Sequence, residues 1–491
     1  MSPKMPTGID RRTFLQLGSL AAAGLLTPAA SALQVADVSI TRRGPAKKII
    51  IAGAGMSGLV AAYELSNAGH DVTLVEAQRR PGGRVFTMRE AFSDGLYAEV
   101  GAGRIPSTHA ITLKYVKMFD LPLVPFYPDR LADVFYAGGK RIKTVRGQKV
   151  DMSQVPLELT EEERRLGFDG MEEKYLSAAM KEVGDFSDPR WPPPQLDKYD
   201  RISFSEFLRQ RGASPAAIAH IALGFEDDSA LDWLRDGASH AAPRLFKIRG
   251  GNDQLPRAFA ARLSRKILYG CPVVRIEQTN RSVRVSVRRA GKLEMIEGDY
   301  LICCIPFSVL RAVEIAPAFS PGKMNAIHKL TYGSVARVFL QMRRKYWLDD
   351  GCNGFALADQ PLEIWNATWD SPGDRGILVS YMYEALARQV TAMSTDDRVE
   401  FMLDFVDKVH PGARRNFEGG TNYSWDEDPW HKGAYTLFLP GDYSSLQPHV
   451  STPEGRVHFA GEHASMWPGW IQGALTSGLR AARAVNEAPD V

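Results

Sequence analysis

Residues 47–84 read KKIIIAGAGMSGLVAAYELSNAGHDVTLVEAQRRPGGR, and this stretch decides the fold. It opens with an apolar run, Lys47 to Ala52, that is short enough for a buried parallel strand. A G-x-G-x-x-G pattern follows at once, and then come a helical pattern over 59–68 and a second strand pattern over 71–75. This order predicts a βαβ unit whose first turn receives the pyrophosphate of a dinucleotide.

The glycines and the acid of this unit stand where dinucleotide binding needs them. Gly53, Gly55 and Gly58 allow a tight turn and bring the pyrophosphate close to a helix N-terminus, whose free N–H groups and dipole favour an anion. Glu76 ends the second strand at the spacing expected for a carboxylate that accepts hydrogen bonds from a ribose. The residues that we predict to bind the nucleotide here, including a second phosphate clamp, are Gly53, Ala54, Gly55, Met56, Ser57, Gly58, Glu76, Ala77, Gln78, Arg79, Gly82, Gly83 and Arg84.

Length and composition favour a globular protein of two or three domains. The chain has 491 residues, of which 44% are hydrophobic and 24% charged, and its formal net charge is only +3. Because the arginines are scattered, we expect no nucleic-acid partner. Its four cysteines have no C-x-x-C or Cys/His spacing, so no metal site is expected. We expect buried thiols, with a disulfide as the alternative.

The N-terminus has the pattern of an export signal. Arg11 and Arg12 precede a short apolar run over 15–26 and a small-residue triplet ending at Ala32. Residues 1–32 are therefore interpreted as a twin-arginine signal that is read by the export machinery and cleaved after Ala32, giving a periplasmic or secreted protein. The alternative is a disordered or membrane-associated tail. Beyond this segment there is no run of about 18 apolar residues, so no stable membrane insertion is expected.

Nucleotide-binding pieces are distributed along the chain. A charged, helical section over 153–239 is interrupted by Trp191-Pro192-Pro193-Pro194. Alternating segments over 273–277 and 282–288, and a run over 300–305, are expected to return to the nucleotide domain. The segments 334–342 and 376–383 are expected in a second sheet, and a helix from about Ile471 closes the chain. The predicted division is leader 1–32, nucleotide-binding parts 45–115, 241–330 and 425–488, substrate-domain parts 116–152 and 331–424, and helical subdomain 153–240.

The distant pair Gly461-Glu462, after a strand pattern, places backbone amides and a carboxylate beside the middle of a long cofactor, as a flavin nucleotide requires. Together with Gly82-Gly83-Arg84, this pattern resembles the flavin monoamine oxidase superfamily over nearly the whole chain after the leader. The resemblance implies an α/β fold with a glutathione-reductase-like FAD-binding Rossmann domain, an inserted mixed-sheet substrate domain and a helical subdomain. Non-covalent FAD is expected, because the C-terminal flavin segment has no cysteine.

Within this superfamily the chain resembles the L-amino-acid oxidase branch. Four regions of the sequence carry that likeness: 101–106, 246–256, 425–434, and 469–471 running into 477–482. The resemblance implies oxidative deamination of an L-amino acid by O2 to a 2-oxo acid, ammonia and hydrogen peroxide, and a homodimer is expected. The alternative is an amine oxidase, or an L-amino-acid dehydrogenase with a different electron acceptor.

The resemblance also assigns four catalytic roles. Arg104 would anchor the substrate carboxylate, because a planar fork of donors suits a bidentate grip. Tyr381 would share that carboxylate, and Trp470 would form an aromatic wall at the flavin. Arg337 stands where relatives usually place a lysine that holds a water near flavin N5, and arginine does not deprotonate. Arg104 as a surface or FAD-phosphate arginine, and Tyr381 as a core tyrosine, remain the alternatives.

The remaining flavin contacts also rest on the resemblance. Trp425 would pack on the isoalloxazine and the Val274 backbone would pair with adenine, although a structural tryptophan and an ordinary strand valine look the same. The acidic run 226–228 could select basic substrates, but we favour a solvated helix end. Side-chain preference does not follow from the sequence. The flavin contacts assigned beyond the first unit are Gly101, Ala102, Gly103, Arg104, Val274, Trp425, Gly461, Glu462, Gly469, Trp470 and Ile471.

Overall fold

The computed structural model describes residues 38–489, except 129, 146, 147, 187, 189, 190, 240–243, 264 and 361. The predicted leader, 1–32, lies outside the described residues. Within the described part of the chain, no helix has the length and apolarity needed to cross a membrane. The four cysteines are free and buried, as predicted.

The predicted βαβ unit is confirmed. Strand Lys48–Ala52, helix Met56–Asn67 and strand Asp71–Glu76 follow one another, and the last four residues of the first strand are buried. The two strands pair in parallel. They are central in a five-stranded parallel sheet with the order Ile267–Tyr269, Asp71–Glu76, Lys48–Ala52, Tyr300–Cys303, Val457–Phe459.

Two of the predicted strands form, in a sheet of their own. Val273–Gln278 and Val283–Arg289 are strands of a separate four-stranded sheet rather than of the parallel sheet. In Val283–Arg289, buried residues alternate with more accessible ones, which suits a sheet with one face in solvent. Tyr300–Cys303 is buried throughout and does join the parallel sheet. The separate sheet has the order Lys292–Gly298, Val283–Arg289, Val273–Gln278, Glu314–Ala316.

A seven-stranded mixed sheet forms the second layer. The predicted strands at 334–342 and 376–383 are confirmed as Val335–Met342 and Gly376–Tyr383, and both are buried along their whole length. The sheet is mixed because Cys352–Ala358 pairs in parallel with Ala132–Ala137, whereas its other pairs are antiparallel. Its order is Phe417–Ser424, Val335–Met342, Gly376–Tyr383, Leu362–Asn366, Cys352–Ala358, Ala132–Ala137, Lys140–Thr144.

The section predicted to be helical is helical. Thr160 and Glu163 form a reciprocal capping box at its first helix, which satisfies two N–H groups that would otherwise be unpaired. The chain leaves this helix at Val183, before the proline-rich interruption. The helices of the section are Glu161–Val183, Asp197–Asp200, Phe204–Gln210, Pro215–Ala222 and Ala230–Ser239, with a 3₁₀ turn at Pro194–Leu196.

The C-terminal helix, Ile471–Glu487, packs against the first helix. A Cβ at Gly478 would lie 2.3 Å from the carbonyl oxygen of Ser57, so only glycine permits this approach. The other helices are Ala110–Met118, Gln254–Arg262, Phe307–Leu310, Pro321–Lys329, Glu384–Thr391, Thr395–Val409, Ala413–Asn416, Asp442–Ser445 and Gln447–Val450, with 3₁₀ turns at Tyr346–Leu348 and Glu462–Ala464. The smaller sheets are Ile105–Pro106, Leu245–Ile248, Leu123–Pro125; Thr331–Tyr332, Thr436–Leu437; and Thr87–Met88, Ala98–Glu99.

Candidate active site

The turn between the first strand and the first helix opens onto a cavity of about 380 Å³. Gly53 and Gly55 line this cavity, and a Cβ at Gly55 would meet no atom within 4 Å. Gly58 lies beneath the turn, where a Cβ would fall 1.9 Å from the carbonyl oxygen of Gly53. The turn therefore presents the N-terminus of helix Met56–Asn67 to the cavity, and such a terminus favours an anion.

Glu76 holds the adjoining turns in place. One carboxylate oxygen accepts a hydrogen bond from the Ala54 N–H at 2.6 Å, and the other accepts from the Gln78 N–H at 2.7 Å. Burial raises the pKa of this carboxyl group, although the two N–H donors act against that shift. Glu76 lines the cavity at the end of its strand, where an acceptor for a ribose belongs.

Arg84 joins the N-terminal nucleotide segment to the C-terminal one. Its Nη1 donates to the Glu462 Oε1 at 2.8 Å and to the Ala434 carbonyl at 3.0 Å. Glu462 Oε2 in turn accepts from the Gly469 N–H at 2.8 Å. Burial disfavours the Glu462 carboxylate, yet Arg84 and the other donors keep its pKa below the ordinary value. The two distant motifs therefore meet on one wall of the cavity.

The glycine-rich turn 101–103 brings the chain back to the cavity. A Cβ at Gly101 would lie 1.8 Å from the carbonyl oxygen of Arg84, so a side chain cannot be accommodated there. Trp425, only 2% exposed, packs beside this turn and donates through Nε1 to the Val100 carbonyl at 3.1 Å. Gly101, Ala102, Gly103 and Trp425 all line the cavity, and the turn delivers Arg104 to its wall.

Arg104 lies on the cavity wall with its side chain 16% exposed. Its guanidinium lies 5.0 Å from the ring centroid of Trp365, and its Nη1 is 3.5 Å from the Glu363 carboxylate. Nη1 has no hydrogen-bond partner among the residues that the structure describes. Burial opposes the charged form, but Glu363 and nearby tyrosines outweigh it and raise the pKa of Arg104. The cavity wall therefore includes a permanent cation, Arg104.

Three polar side chains form a row across the mixed sheet beside Arg104. Arg337 is the cross-strand partner of Tyr381, and Tyr381 is the partner of Glu363 on its other side. All three line the cavity, because directly opposed residues of neighbouring strands face the same side. The Arg337 guanidinium lies 4.3 Å from the centroid of the Tyr381 ring. Glu363 accepts hydrogen bonds from Trp365 Nε1 at 2.6 Å and from the hydroxyl of Tyr383.

Arg337 is 4% exposed and is held from behind by the backbone. Its Nη1 donates to the carbonyl of Glu99 at 2.6 Å. Burial lowers the pKa of the guanidinium, although arginine remains charged in proteins. Burial also raises the pKa of the neighbouring Glu99 carboxyl to about 7. Arg104 and Arg337 together place two cations on one wall of the cavity.

Trp470 lines the cavity at the start of the C-terminal helix, for which it is the N-cap residue. Gly469 precedes it with φ +79°, a conformation that favours glycine. A Cβ at Gly469 would lie 3.5 Å from Tyr435, which also lines the cavity. Gly461, Gly469 and Ile471 complete this wall. The predicted aromatic wall therefore includes a tyrosine that the sequence reading omitted.

The helical section supplies the wall formed by Phe225, Asp228 and Trp233. The predicted solvated helix end is wrong for Asp228, which is 6% exposed and faces the cavity, whereas its neighbour Asp227 is exposed as expected. Packing of the helical section against the mixed sheet explains the difference, since Phe225 contacts Tyr383 with ring centroids 5.6 Å apart.

Four of the predicted cofactor residues do not line the cavity, namely Ala54, Gly58, Arg79 and Val274. Ala54 and Gly58 shape the turn from behind, as described above. Val273 lines the cavity and Val274 does not, at an irregularity in the pairing of this strand, and the adenine contact of the Val274 backbone stays a prediction. In the described part of the chain, no group of His, Cys, Asp or Glu side chains could hold a metal ion.

The sequence reading missed Glu363, Tyr383 and Tyr435 as cavity residues. The available signal for Glu363 was a lone carboxylate in the strand Leu362–Asn366, which is buried throughout. A buried carboxylate needs hydrogen-bond or ionic partners. Which side chains serve as those partners depends on how the neighbouring strands align, and the sequence alone does not give that alignment. Tyr435 directly follows region 425–434, which carries the family resemblance, so its position was within reach of that motif.

Sequence comparisons show the family. The model for flavin containing amine oxidoreductases matches residues 56–486. The YobN protein of Bacillus subtilis (strain 168) is 33% identical over 90% of this chain and 95% of its own length. The L-amino-acid oxidase BmooLAAO-I of Bothrops moojeni is 30% identical over 93% of this chain and 92% of its own.

Solved structures of flavin amine oxidases share the fold. Cyclohexylamine oxidase from Brevibacterium oxydans IH-35A superposes with a TM-score of 0.77 at 22% identity, covering 90% of this chain and 99% of that one. Putrescine oxidase bound to putrescine gives a TM-score of 0.77 at 21% identity, with 90% and 99% covered. The βαβ unit, the mixed sheet and the cavity between them thus form the FAD-binding fold of these enzymes. The chain belongs to the family of flavin-containing amine oxidoreductases.

Proposed function

We propose that this protein is an FAD-dependent L-amino-acid oxidase. An L-amino acid, O2 and water would give a 2-oxo acid, ammonia and hydrogen peroxide. The observation that carries the proposal is Arg104, a partly buried cation on the cavity wall whose side chain is 16% exposed. An α-carboxylate is the anion that matches such a fork of donors. Relatives named L-amino-acid oxidases cover more than nine-tenths of the chain.

The cavity fits FAD bound without a covalent link. Open space at Gly55, the helix N-terminus and the acceptor Glu76 suit a pyrophosphate and a ribose. Cys271 and Cys304 line the cavity beside this nucleotide turn, and burial raises the pKa of the Cys304 thiol to about 12. Such a thiol is a poor nucleophile at neutral pH. When bound, FAD would supply the two-electron acceptor for the substrate and O2 would receive those electrons.

The side chains of this protein would bind, orient and desolvate the substrate. Arg104 would pair with the carboxylate, with Tyr381 and Arg337 adjoining it on the sheet. Trp470 and Tyr435 would flank the amine end and exclude water. No protein base is required if the α-amine binds uncharged, because the Cα hydrogen leaves as a hydride. The remaining rate acceleration would come from holding the reacting carbon in a fixed orientation.

A second candidate is an amine oxidase whose substrates lack a carboxylate. Glu363 favours it, because this carboxylate already lies 3.5 Å from Arg104 and partly neutralises the cation. The two functions predict different results with matched substrates. Peroxide release should be measured with L-phenylalanine, L-lysine and L-arginine and with the amines formed by removing their carboxyl groups. Turnover of the amines alone would reject the L-amino-acid assignment.

The electron acceptor needs its own measurement. Arg337, a permanent cation, stands where the resemblance places a titratable lysine, so reoxidation by O2 is the step on which this protein can depart from its relatives. Flavin reduction without oxygen, followed by mixing with O2, separates the two half-reactions. An oxidase returns the yellow flavin at once with one peroxide per substrate. Return only with an added dye would identify a dehydrogenase.

A further inference from the structure

The wall formed by Phe225, Asp228 and Trp233 contains an unpaired buried carboxylate. Asp228 is 6% exposed and lines the same cavity as Arg104. Its backbone is bonded, since its N–H donates to the Phe225 carbonyl and its own carbonyl accepts from the Phe204 N–H. Its carboxylate forms no hydrogen bond or ion pair with any residue that the structure describes. An isolated carboxylate in such a place is costly unless a ligand completes it.

The other acids of the cavity already have partners. Glu76 accepts from two backbone N–H groups, and Glu462 pairs with Arg84. Asp232 accepts from the Arg235 guanidinium at 2.8 Å and from the hydroxyl of Tyr443 at 2.7 Å. Glu363 has its tryptophan and tyrosine donors, as described above. Asp236, the remaining acid of the cavity lining, pairs with Arg235 at 3.8 Å. Among the cavity-lining carboxylates of the described residues, Asp228 is therefore the one that remains available to a ligand cation.

A continuous aromatic wall connects the two charged ends of the cavity. Tyr381, which adjoins Arg104, lies 4.4 Å from Tyr383 between ring centroids, and Tyr383 lies 5.6 Å from Phe225. Phe225 lies 6.4 Å from Trp233 in turn, on the wall that carries Asp228. Aromatic faces beside a carboxylate are the surroundings that organic cations prefer. The rings between the two ends suit the aliphatic stem of a long side chain.

We propose that Asp228 binds the cationic side chain of the substrate, so that basic L-amino acids, with a guanidinium or ammonium group, are the preferred substrate class. This inference rests on the proposed function, because it needs the α-carboxylate to lie at Arg104. The distal cation then pairs with Asp228 while the stem follows the aromatic wall. Burial and the nearby acids Asp232, Glu384, Asp227 and Glu226 raise the pKa of the free Asp228 carboxyl, and a bound cation opposes that shift.

Isosteric substrate pairs test the inference on the native protein. L-Arginine differs from L-citrulline in charge at nearly constant shape, and L-lysine is matched by L-norleucine. We expect kcat/KM to favour the cationic member of each pair by roughly 30-fold or more, the factor of a desolvated charge pair. The rate of flavin reduction without oxygen provides the same ratio if peroxide release is slow. Equal kcat/KM within both pairs overturns the inference.

Two variants at neighbouring acids test whether Asp228 causes the preference for cationic substrates. Asp228→Asn should reduce the arginine-to-citrulline ratio by the same factor, whereas Asp227→Asn, at the exposed neighbour, should keep the native ratio. If Asp228→Asn keeps the native arginine-to-citrulline ratio of kcat/KM, Asp228 does not bind the cationic side chain. If Asp228→Asn loses its flavin, the kcat/KM ratios of the two substrate pairs on the native protein test the inference by themselves. Oxidation of uncharged L-amino acids without a cationic preference rejects only this inference, whereas no flavin reduction by any L-amino acid rejects the proposed function as well.

Discussion

Replacing Arg104 by glutamine should separate amino acids from amines. The guanidinium is poised to give a carboxylate two charge-assisted hydrogen bonds, each contributing about 1.5–3 kcal/mol. The sum of about 3–6 kcal/mol corresponds to a fall of roughly 10²–10⁴-fold in kcat/KM for an L-amino acid. An amine without a carboxylate forms neither bond, so its kcat/KM should not fall in Arg104→Gln.

Arg104→Gln also affects stability through Glu363, because the substitution removes the cation beside this buried carboxylate. Leaving a buried carboxylate without its counter-charge costs about 3–5 kcal/mol of stability in unfavourable cases. Trp365 and Tyr383 still donate to Glu363, so we expect the lower end of that range or less. The double variant Arg104→Gln/Glu363→Gln removes both charges. If the carboxylate is bound by Arg104 itself, the double variant should be stable and should still discriminate poorly between amino acid and amine.

The assay compares kcat/KM for L-phenylalanine and 2-phenylethylamine in each variant, with flavin absorbance as the check on folding. Arg375→Gln is the matched control, because Arg375 is a partly exposed arginine that pairs with Asp94 and Glu418 outside the cavity. An equal loss for both compounds would refute the proposed contact. So would unaltered L-phenylalanine turnover in a variant that retains its flavin.

Three further predictions concern the cofactor and stability. Gly58→Ala should abolish flavin binding, because its Cβ would lie 1.9 Å from the Gly53 carbonyl oxygen, and a yellow purified variant would contradict this. Acid or heat precipitation should release FAD into the supernatant, where chromatography detects it, whereas flavin retained on the protein would indicate a covalent bond. Asp228→Asn should raise the free energy of unfolding by about 1–3 kcal/mol at neutral to alkaline pH. Because burial raises the pKa of the folded Asp228 carboxyl, that gain should grow as pH rises and vanish in acid, and denaturant titrations without substrate at several pH values measure it.

Local sequence patterns were enough to predict the glycine-rich turn and the C-terminal helix start that line one side of the cavity. The turn around Gly53, the acid Glu76 and the start of the C-terminal helix are each specified within a few residues, by a glycine requirement or by strand and helix periodicity. Arg104 was also within reach, because a glycine-rich turn determines where it emerges. Residues that are close in the sequence determine these features, so a single sequence is enough to predict them.

The substrate half depends on pairings between distant strands. Arg337, Tyr381 and Glu363 share a face only because their strands align in one register, and a shift of one residue would turn Glu363 away from the cavity. Asp228 became a cavity residue through the packing of the helical section on the mixed sheet. Contacts with distant segments likewise determine which sheet Val273–Gln278 joins. Alternation along this segment predicts a strand, but it does not predict the strands with which it pairs.

The charges on the cavity wall connect the two proposals. Arg104 and Arg337 carry two positive charges at the end that would bind the α-carboxylate, and of the carboxylates beside them only Glu363 lines the cavity, so the cavity-lining groups of this end are short of one negative charge. A simple amine leaves that imbalance buried, whereas an amino acid corrects it. At the other end, a basic side chain supplies the counter-charge that Asp228 lacks. An uncharged side chain leaves the Asp228 carboxyl without a counter-charge, so such substrates gain nothing from this wall. Charge balance at both ends therefore favours a substrate with an α-carboxylate and a distant cation, while its α-amine binds in the neutral form.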